Sequence, residues 1–182
     1  MKSGNIILAG FGGQGILFAG KVLAYSGLKA GREVSWLPSY GPEMRGGTAN
    51  CHVVVSDSPV GSPIIPNPDI LIAMNRPSLD KFEEKVTTGG YIVQDSSLVD
   101  REPERDDITV IDIPATQLAL EAGLESLANM VMVGKVIQAT GLYTLEEIQK
   151  GLEKSVPASK AALLEKNIQA IKLGYEYDES RI

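Results

Sequence analysis

Short apolar runs alternate with longer amphipathic segments from the N-terminus to about residue 113, which is the pattern of an α/β protein. Strands are predicted at residues 5–9, 33–38, 51–56, 69–74, 91–95 and 108–112. A helix is predicted over residues 14–30, with Gly31 as a left-handed cap, and another helix after Pro77. The four prolines of segment 57–69 exclude a helix and predict a connection along the sheet edge.

Beyond residue 113 the apolar positions recur at helical spacing, and Thr144 with Glu147 forms a capping-box pattern. A last helix is predicted over residues 159–174, followed by a frayed tail. Strands that alternate with helices predict a mainly parallel sheet with helices on both faces. We therefore predict a single domain over residues 1–182, a Rossmann-like three-layer α/β sandwich with a helical C-terminal part.

The composition fits one soluble globular domain, because 43% of the residues are hydrophobic and 22% are charged. A net charge of −6 without a basic stripe argues against nucleic acid and anionic membranes as partners. No apolar run is long enough to predict a membrane span, and the glycine-interrupted N-terminal run lacks the cleavage site of a signal peptide. The single cysteine, Cys51, cannot form an intrachain disulfide or hold an iron–sulfur cluster, and it favours a cytoplasmic location.

A glycine-rich loop follows the first predicted strand. Gly10, Gly12 and Gly15 fit the G-x-G-x-x-G spacing, in which backbone amides approach an anion at the start of a helix. A dinucleotide site also needs a carboxylate at the end of the second strand, but that strand ends "WLPSY" and Glu33 lies at its start. Simple helix–strand packing would account for Gly15 but less well for the doublet Gly12–Gly13.

A second loop, "SYGPEMRGGTAN", is rich in glycine and follows the second strand. Glu43 and Arg45 are its only charged residues, and two interpretations remain open. The two side chains could pair with each other, or Arg45 and the amides of Gly46 and Gly47 could bind a phosphate or carboxylate. The neighbouring Cys51 and His52 should point to opposite faces of a strand, so they are not predicted to form a nucleophile–base pair.

The two loops together resemble one protein family. "GFGGQGILFAGKVLA" followed by "SYGPEMRGGTANC" is similar to the gamma subunit, or catalytic domain III, of the 2-oxoacid:ferredoxin oxidoreductases. The resemblance continues through "NPDILIAMNRPSLDKF", "NMVMVGKVIQATG" and "NIQAIKLGYE", so it covers nearly the whole chain. The form "YGPEMRGG" before "TANC" looks closest to the 2-oxoglutarate and 2-oxoisovalerate (branched-chain) enzymes.

The resemblance implies a subunit of an enzyme that decarboxylates a 2-oxoacid oxidatively with coenzyme A, giving an acyl-CoA, carbon dioxide and reduced ferredoxin. It implies thiamine diphosphate, Mg and iron–sulfur clusters on alpha, beta and ferredoxin-like delta subunits, with coenzyme A possible at the interface. No catalytic residue and no metal ligand is predicted within this chain, which is expected to be inactive alone. A free-standing NAD(P)- or FAD-binding protein and a non-catalytic assembly subunit remain as alternatives.

We expect the two loops to converge at the carboxyl ends of the first two strands and to face the alpha subunit. The predicted cofactor- or interface-binding residues are Gly12, Gly13, Gln14, Gly15, Tyr40, Gly41, Glu43, Arg45, Gly46 and Gly47.

Overall fold

A computed structural model of the protein describes residues 2–39 and 48–178. Its centre is a six-stranded sheet in the order β2-β3-β1-β4-β5-β6. The strands are β1 (Gly4–Phe11), β2 (Glu33–Ser39), β3 (Thr48–Ser56), β4 (Ile70–Ala73), β5 (Tyr91–Asp95) and β6 (Thr109–Ile113). β1, β4, β5 and β6 pair in parallel, whereas β3 runs antiparallel to both β1 and β2. The predicted mainly parallel sheet is confirmed, with one reversed strand inside it.

In the described ranges, six α-helices accompany the sheet: α1 (Ile16–Lys29), α2 (Arg76–Phe82), α3 (Ala115–Glu121), α4 (Ala128–Thr140), α5 (Leu145–Ser155) and α6 (Ala161–Glu176). Gly31 has the positive φ of the predicted cap, and Thr144 and Glu147 form the predicted capping box. Asn75 caps α2 through its side chain, two residues before Pro77.

The sheet is covered on both faces, because side chains of β1 alternate between two cores. Ile6 and Leu8 face the larger core, which also contains buried residues of α1, α3, α4, α5 and α6. Ile7 and Ala9 face the smaller core, beneath α2 and the proline-rich segment. This arrangement confirms the three-layer α/β prediction and leaves the ends of the strands free to position loops.

Two local predictions were wrong. Segment 57–69 does not follow the sheet edge, because β3 is an interior strand and its connection to β4 must cross β1. The connection covers the face of the smaller core, in which Ile65 is buried. The last helix also runs past residue 174 to Glu176, and the carbonyl oxygen of Tyr177 accepts a hydrogen bond from Lys135. Packing of α6 against α4 therefore orders part of the tail expected to fray.

Candidate functional site

The glycine loop, residues 12–15, lies at the carboxyl end of β1. From β1 the chain crosses through α1 to β2 on one side, whereas β4, β5 and β6 lie on the other side. The gap between β1 and β4 is therefore the topological switch point of the sheet, where open α/β sheets bind their ligands.

Gln14 bridges this gap with its side chain. Its Oε1 accepts a hydrogen bond from the Phe11 amide at 2.6 Å and a longer one from Asn75 Nδ2 at 3.4 Å. Its Nε2 donates to the carbonyl oxygen of Met74 at 3.0 Å. A Cβ atom at Gly10 would lie 2.7 Å from the same Oε1, so the carboxamide lies against the backbone of β1. The predicted site residue Gln14 therefore makes its hydrogen bonds inside the domain and joins the glycine loop to the start of α2.

Asn129, at the start of α4, supports the loop from the other side. Its Nδ2 donates to the carbonyl oxygen of Gly15 at 3.0 Å. Gly15 has φ 74° and a Cβ atom there would overlap Asn129, so both the backbone conformation and the space require glycine. Asn129 is 3% exposed, and its Oδ1 has no hydrogen-bond partner among the described residues.

The start of α1 presents free backbone donors. Gly15 occupies the N-cap position without a side-chain cap, and the first turn contains no acidic residue. The first hydrogen bond of the helix is from the Ala19 amide to the Gly15 carbonyl oxygen. Among residues 2–39 and 48–178, no backbone hydrogen bond is donated by the amides of Gly15 to Phe18, or by those of the exposed Gly12 and Gly13. Such unpaired amides at the positive end of a helix favour an anionic group.

Six of the predicted site residues belong to the second loop and lie outside the described residues: Tyr40, Gly41, Glu43, Arg45, Gly46 and Gly47. The structure describes the strands on either side of this loop, in which Thr48 pairs with Phe11 and Ser39 pairs with Asn50. The second loop therefore leaves and rejoins the sheet at the same edge as the glycine loop, while the predicted convergence of the two loops stays a prediction.

The strand order differs from that of a dinucleotide-binding site. In such a site, a residue at the end of the strand next to β1 hydrogen-bonds the ribose. Here the reversed strand β3 lies between β1 and β2, so the end of β2 is two strand spacings, roughly 10 Å, away from β1. Because Gln14 also bridges the gap between β1 and β4, the glycine spacing alone does not make a nicotinamide cradle.

Cys51 and His52 point to opposite faces of β3, as predicted. Cys51 is fully buried beneath α1, and burial raises the pKa of its thiol to about 12. On the other face, His52 Nδ1 accepts a hydrogen bond from the Ile65 amide at 2.9 Å. Burial, with a smaller contribution from Lys85, lowers the pKa of His52. Both residues therefore have structural surroundings and do not form a catalytic pair.

In the described part of the chain, no group of three or more histidine, cysteine or acidic side chains is arranged to hold a metal ion. No described helix is long and apolar enough to cross a membrane.

The sequence matches the profile of the family described as "Pyruvate ferredoxin/flavodoxin oxidoreductase" over residues 5–177. The chain belongs to this family. It is 40% identical over 179 residues to the ketoisovalerate oxidoreductase subunit VorA of Methanothermobacter thermautotrophicus, covering 98% of this chain and 37% of that protein. It is 39% identical to the 2-oxoglutarate synthase subunit KorC of Methanocaldococcus jannaschii, covering 94% of this chain and 92% of that protein.

Among solved structures, the gamma subunit of the keto/oxoacid ferredoxin oxidoreductase of Geobacter sulfurreducens aligns with a TM-score of 0.80 at 29% identity, over 94% of this chain and 96% of that one. The 2-oxoglutarate:ferredoxin oxidoreductase of Magnetococcus marinus, with 2-oxoglutarate, coenzyme A and succinyl-CoA bound, aligns with a TM-score of 0.84 at 25% identity. That alignment covers 96% of this chain and 30% of the other. The chain thus spans about a third of some relatives and almost all of others.

Sequence reasoning missed Asn129. It lies on the apolar helix α4, and its partner Gly15 is far away in sequence. No local spacing connects the two residues. The one available signal was an amide side chain among the apolar positions at the start of α4, since a buried amide needs a hydrogen-bond partner.

Proposed function

We propose that this chain is the gamma subunit of a 2-oxoacid:ferredoxin oxidoreductase that converts a 2-oxoacid and coenzyme A to an acyl-CoA, carbon dioxide and reduced ferredoxin. The observation that carries the proposal is the similarity to KorC along nearly the full length of both chains. The fold match to a solved gamma subunit of this enzyme class, again over nearly the full length of both chains, supports it.

The chemistry is assigned to partner chains. Thiamine diphosphate, Mg and iron–sulfur clusters belong, in this proposal, to alpha, beta and ferredoxin-like delta subunits in the cytoplasm. The residues of this chain do not fit a cluster of its own, because its one cysteine is buried and a cluster normally needs about four thiolates. The chain contributes a surface to the assembled site and has no activity alone.

That surface is the edge of the sheet at the carboxyl end of β1. The glycine loop is held there by Gln14 and Asn129, with free amides that suit an acceptor group. We infer that Gly12, Gly13 and Gly15, together with Tyr40, Gly41, Glu43, Arg45, Gly46 and Gly47, border the cofactor or coenzyme A pocket of the complex. Gln14 acts here as an internal brace.

2-Oxoglutarate is the first candidate substrate, because the KorC relatives are matched over nearly their whole length. 2-Oxoisovalerate is the second, because the two VorA relatives show 40% and 43% identity. The two acids differ in shape and charge, so a direct comparison of turnover decides between them.

The test is to express this chain with alpha, beta and delta subunits and to measure viologen reduction. We expect reduction that requires both coenzyme A and a 2-oxoacid, and that is lost when this chain is omitted. Equal turnover without the chain contradicts the proposal. Titration of the isolated chain with NADH, NADPH and FAD tests the free-standing alternative, and we expect no binding at millimolar ligand.

A further inference from the structure

The connection from β3 to β4, residues 57–69, which we call the strap, crosses β1 on the face of the smaller core. Both ends of the strap are attached by hydrogen bonds. At its start the Ser58 amide donates to Ser56 Oγ, and at its end the Asp69 amide donates to the carbonyl oxygen of Asn5 at 2.8 Å. Between these ends the strap is rich in proline, which has no amide hydrogen, so few backbone donors remain to hold it.

A single hydrogen bond joins the middle of the strap to the sheet. Among the described residues, the bond from the Ile65 amide to His52 Nδ1, at 2.9 Å, is the only one between residues 59–66 and the rest of the chain. The bond from the Ile64 amide to Ser62 Oγ stays within the strap. The side chain of Ile65 is 4% exposed, whereas that of Ile64 is 64% exposed. The closed position of the strap therefore depends on the burial of Ile65 and on the acceptor atom of His52.

This acceptor exists only while the ring of His52 is neutral. Because Nδ1 accepts the N–H of Ile65, the proton of the neutral ring is on Nε2. The imidazolium carries a hydrogen on both nitrogens, so its Nδ1–H points at the amide hydrogen of Ile65. Protonation thus replaces an attractive contact with a repulsive one at the only polar attachment of the middle of the strap among the described residues.

The surroundings of the imidazole ring do not favour its protonated form. Its paired residues in the two adjacent strands are apolar, Ile7 of β1 and Leu37 of β2. Burial, followed by the positive charge of Lys85 after α2, lowers the pKa of the ring. The acidic residues of the adjoining segments form no ion pair with it in the described part of the chain: Glu33 at the start of β2 and Asp57 at the start of the strap.

We propose that His52 is a proton-operated latch of the strap: the neutral ring holds the strap closed through the Ile65 amide, and the imidazolium shifts the equilibrium towards release. Release withdraws the Ile65 side chain from the smaller core and uncovers apolar surface of that core. The newly uncovered surface adjoins Leu37, which pairs with His52 and is already 37% exposed. The latch is independent of the activity proposed for the assembled complex.

Amide hydrogen exchange of the full chain, followed residue by residue by NMR between pH 7.5 and 5.5, tests the latch. After correction for the intrinsic exchange rate, we expect the opening constant at Ile65 to exceed that at Asp69 at least tenfold, because the strap opens without unfolding of the sheet. The constant at Ile65 should be level above about pH 6.5 and rise by up to tenfold per pH unit below it, since opening takes up one proton. Equal opening constants at the two amides, or no rise with acid, would overturn the latch.

Two substitutions at position 52 separate the acceptor from its titration. In His52→Asn, the side-chain Oδ1 takes the place of Nδ1 as an acceptor that does not titrate, so the opening constant at Ile65 should stay low and level at every pH. His52→Leu has no acceptor, so its opening constant should be about tenfold above that of the wild type at pH 7.5 and should not change with pH. A His52→Asn protein with the pH slope of the wild type contradicts the latch, and this comparison does not require that His52→Leu fold.

Discussion

Gln14 Nε2 donates a hydrogen bond to the carbonyl oxygen of Met74, so a glycine-loop residue after β1 is fixed to the end of β4. The same side chain accepts from the Phe11 amide within its own loop. The gap that binds a nucleotide in many α/β proteins is therefore bridged from inside. The loop amides that remain free belong to Gly12, Gly13 and the start of α1, and they are the ones we assign to the partner-facing surface.

This relationship predicts the effect of Gln14→Ala. The substitution leaves the Met74 carbonyl and the Phe11 amide without their side-chain partner, so we expect the free energy of unfolding to fall by about 1–3 kcal/mol. Urea denaturation of the isolated chain measures this change. Gln169→Ala, at an exposed position of α6, is the control and should change stability by less than about 0.5 kcal/mol. Equal losses of stability in the two variants would contradict a stabilising role of the Gln14 side chain.

Because α4 and α6 cross closely, adding a single methyl group at their contact is predicted to destabilise the fold severely. Gly134 and Gly174 lie against backbone carbonyl groups of the opposite helix, and a Cβ atom at either position would overlap Ile171 or Val131. We expect Gly134→Ala to lower the free energy of unfolding by about 1–3 kcal/mol or more, because the helices must separate. Gly61→Ala, with open space around it and no positive φ, should be near neutral. A Gly134→Ala protein as stable as Gly61→Ala would contradict the close crossing.

His52 predicts how stability depends on pH. Burial lowers the pKa of His52 in the folded protein, so the unfolded chain takes up a proton first as the pH falls. The stabilisation is fully present above the unfolded pKa, about 6.5, and is lost as the pH falls from there towards the lower folded pKa. The urea concentration at the unfolding midpoint should therefore decrease as the pH is lowered from 7.5 to 5.5. His52 is the only histidine, and His52→Asn should abolish this slope. A wild-type midpoint that is constant or rises over this window would refute the prediction.

The ion pair of Arg101 with Glu83 is predicted to stabilise the fold more than the exposed ion pair of Arg76 with Asp100 does. The side chain of Glu83 is 9% exposed and bonds Arg101 at 2.9 Å, whereas Arg76 and Asp100 are 52% and 72% exposed. Arg101→Met leaves the Glu83 carboxylate buried without its partner and should cost about 2–4 kcal/mol of stability. Arg76→Met should cost about 0–1 kcal/mol. Thermal unfolding of both variants tests this order, and similar losses would contradict it.

The sequence predicted features whose cause is local. Gly31 has the left-handed conformation expected of a helix cap, and Thr144 and Glu147 form the capping box that their spacing indicates. The apolar runs located all six strands to within a few residues. Each of these depends on a few neighbouring residues, so spacing and composition were enough.

Features that depend on distant partners could not be read in the same way. The insertion of β3 between β1 and β2 depends on pairing along the whole length of β1, and an apolar strand looks the same in either direction. Likewise, the hydrogen bonds of Gln14 to Met74 and Asn75 join residues some 60 positions apart, so no local spacing predicts them. Asn129 gave no spacing signal for the same reason.

An add-back titration tests whether this chain is a required subunit of a 2-oxoacid:ferredoxin oxidoreductase, as we propose. Purified chain is added to a preparation of the alpha, beta and delta subunits, and viologen reduction with 2-oxoglutarate or 2-oxoisovalerate and coenzyme A is followed. We expect turnover that rises from background and saturates when the chain equals the other subunits in amount. Full turnover before any chain is added, or no turnover at saturation with either acid, would contradict it.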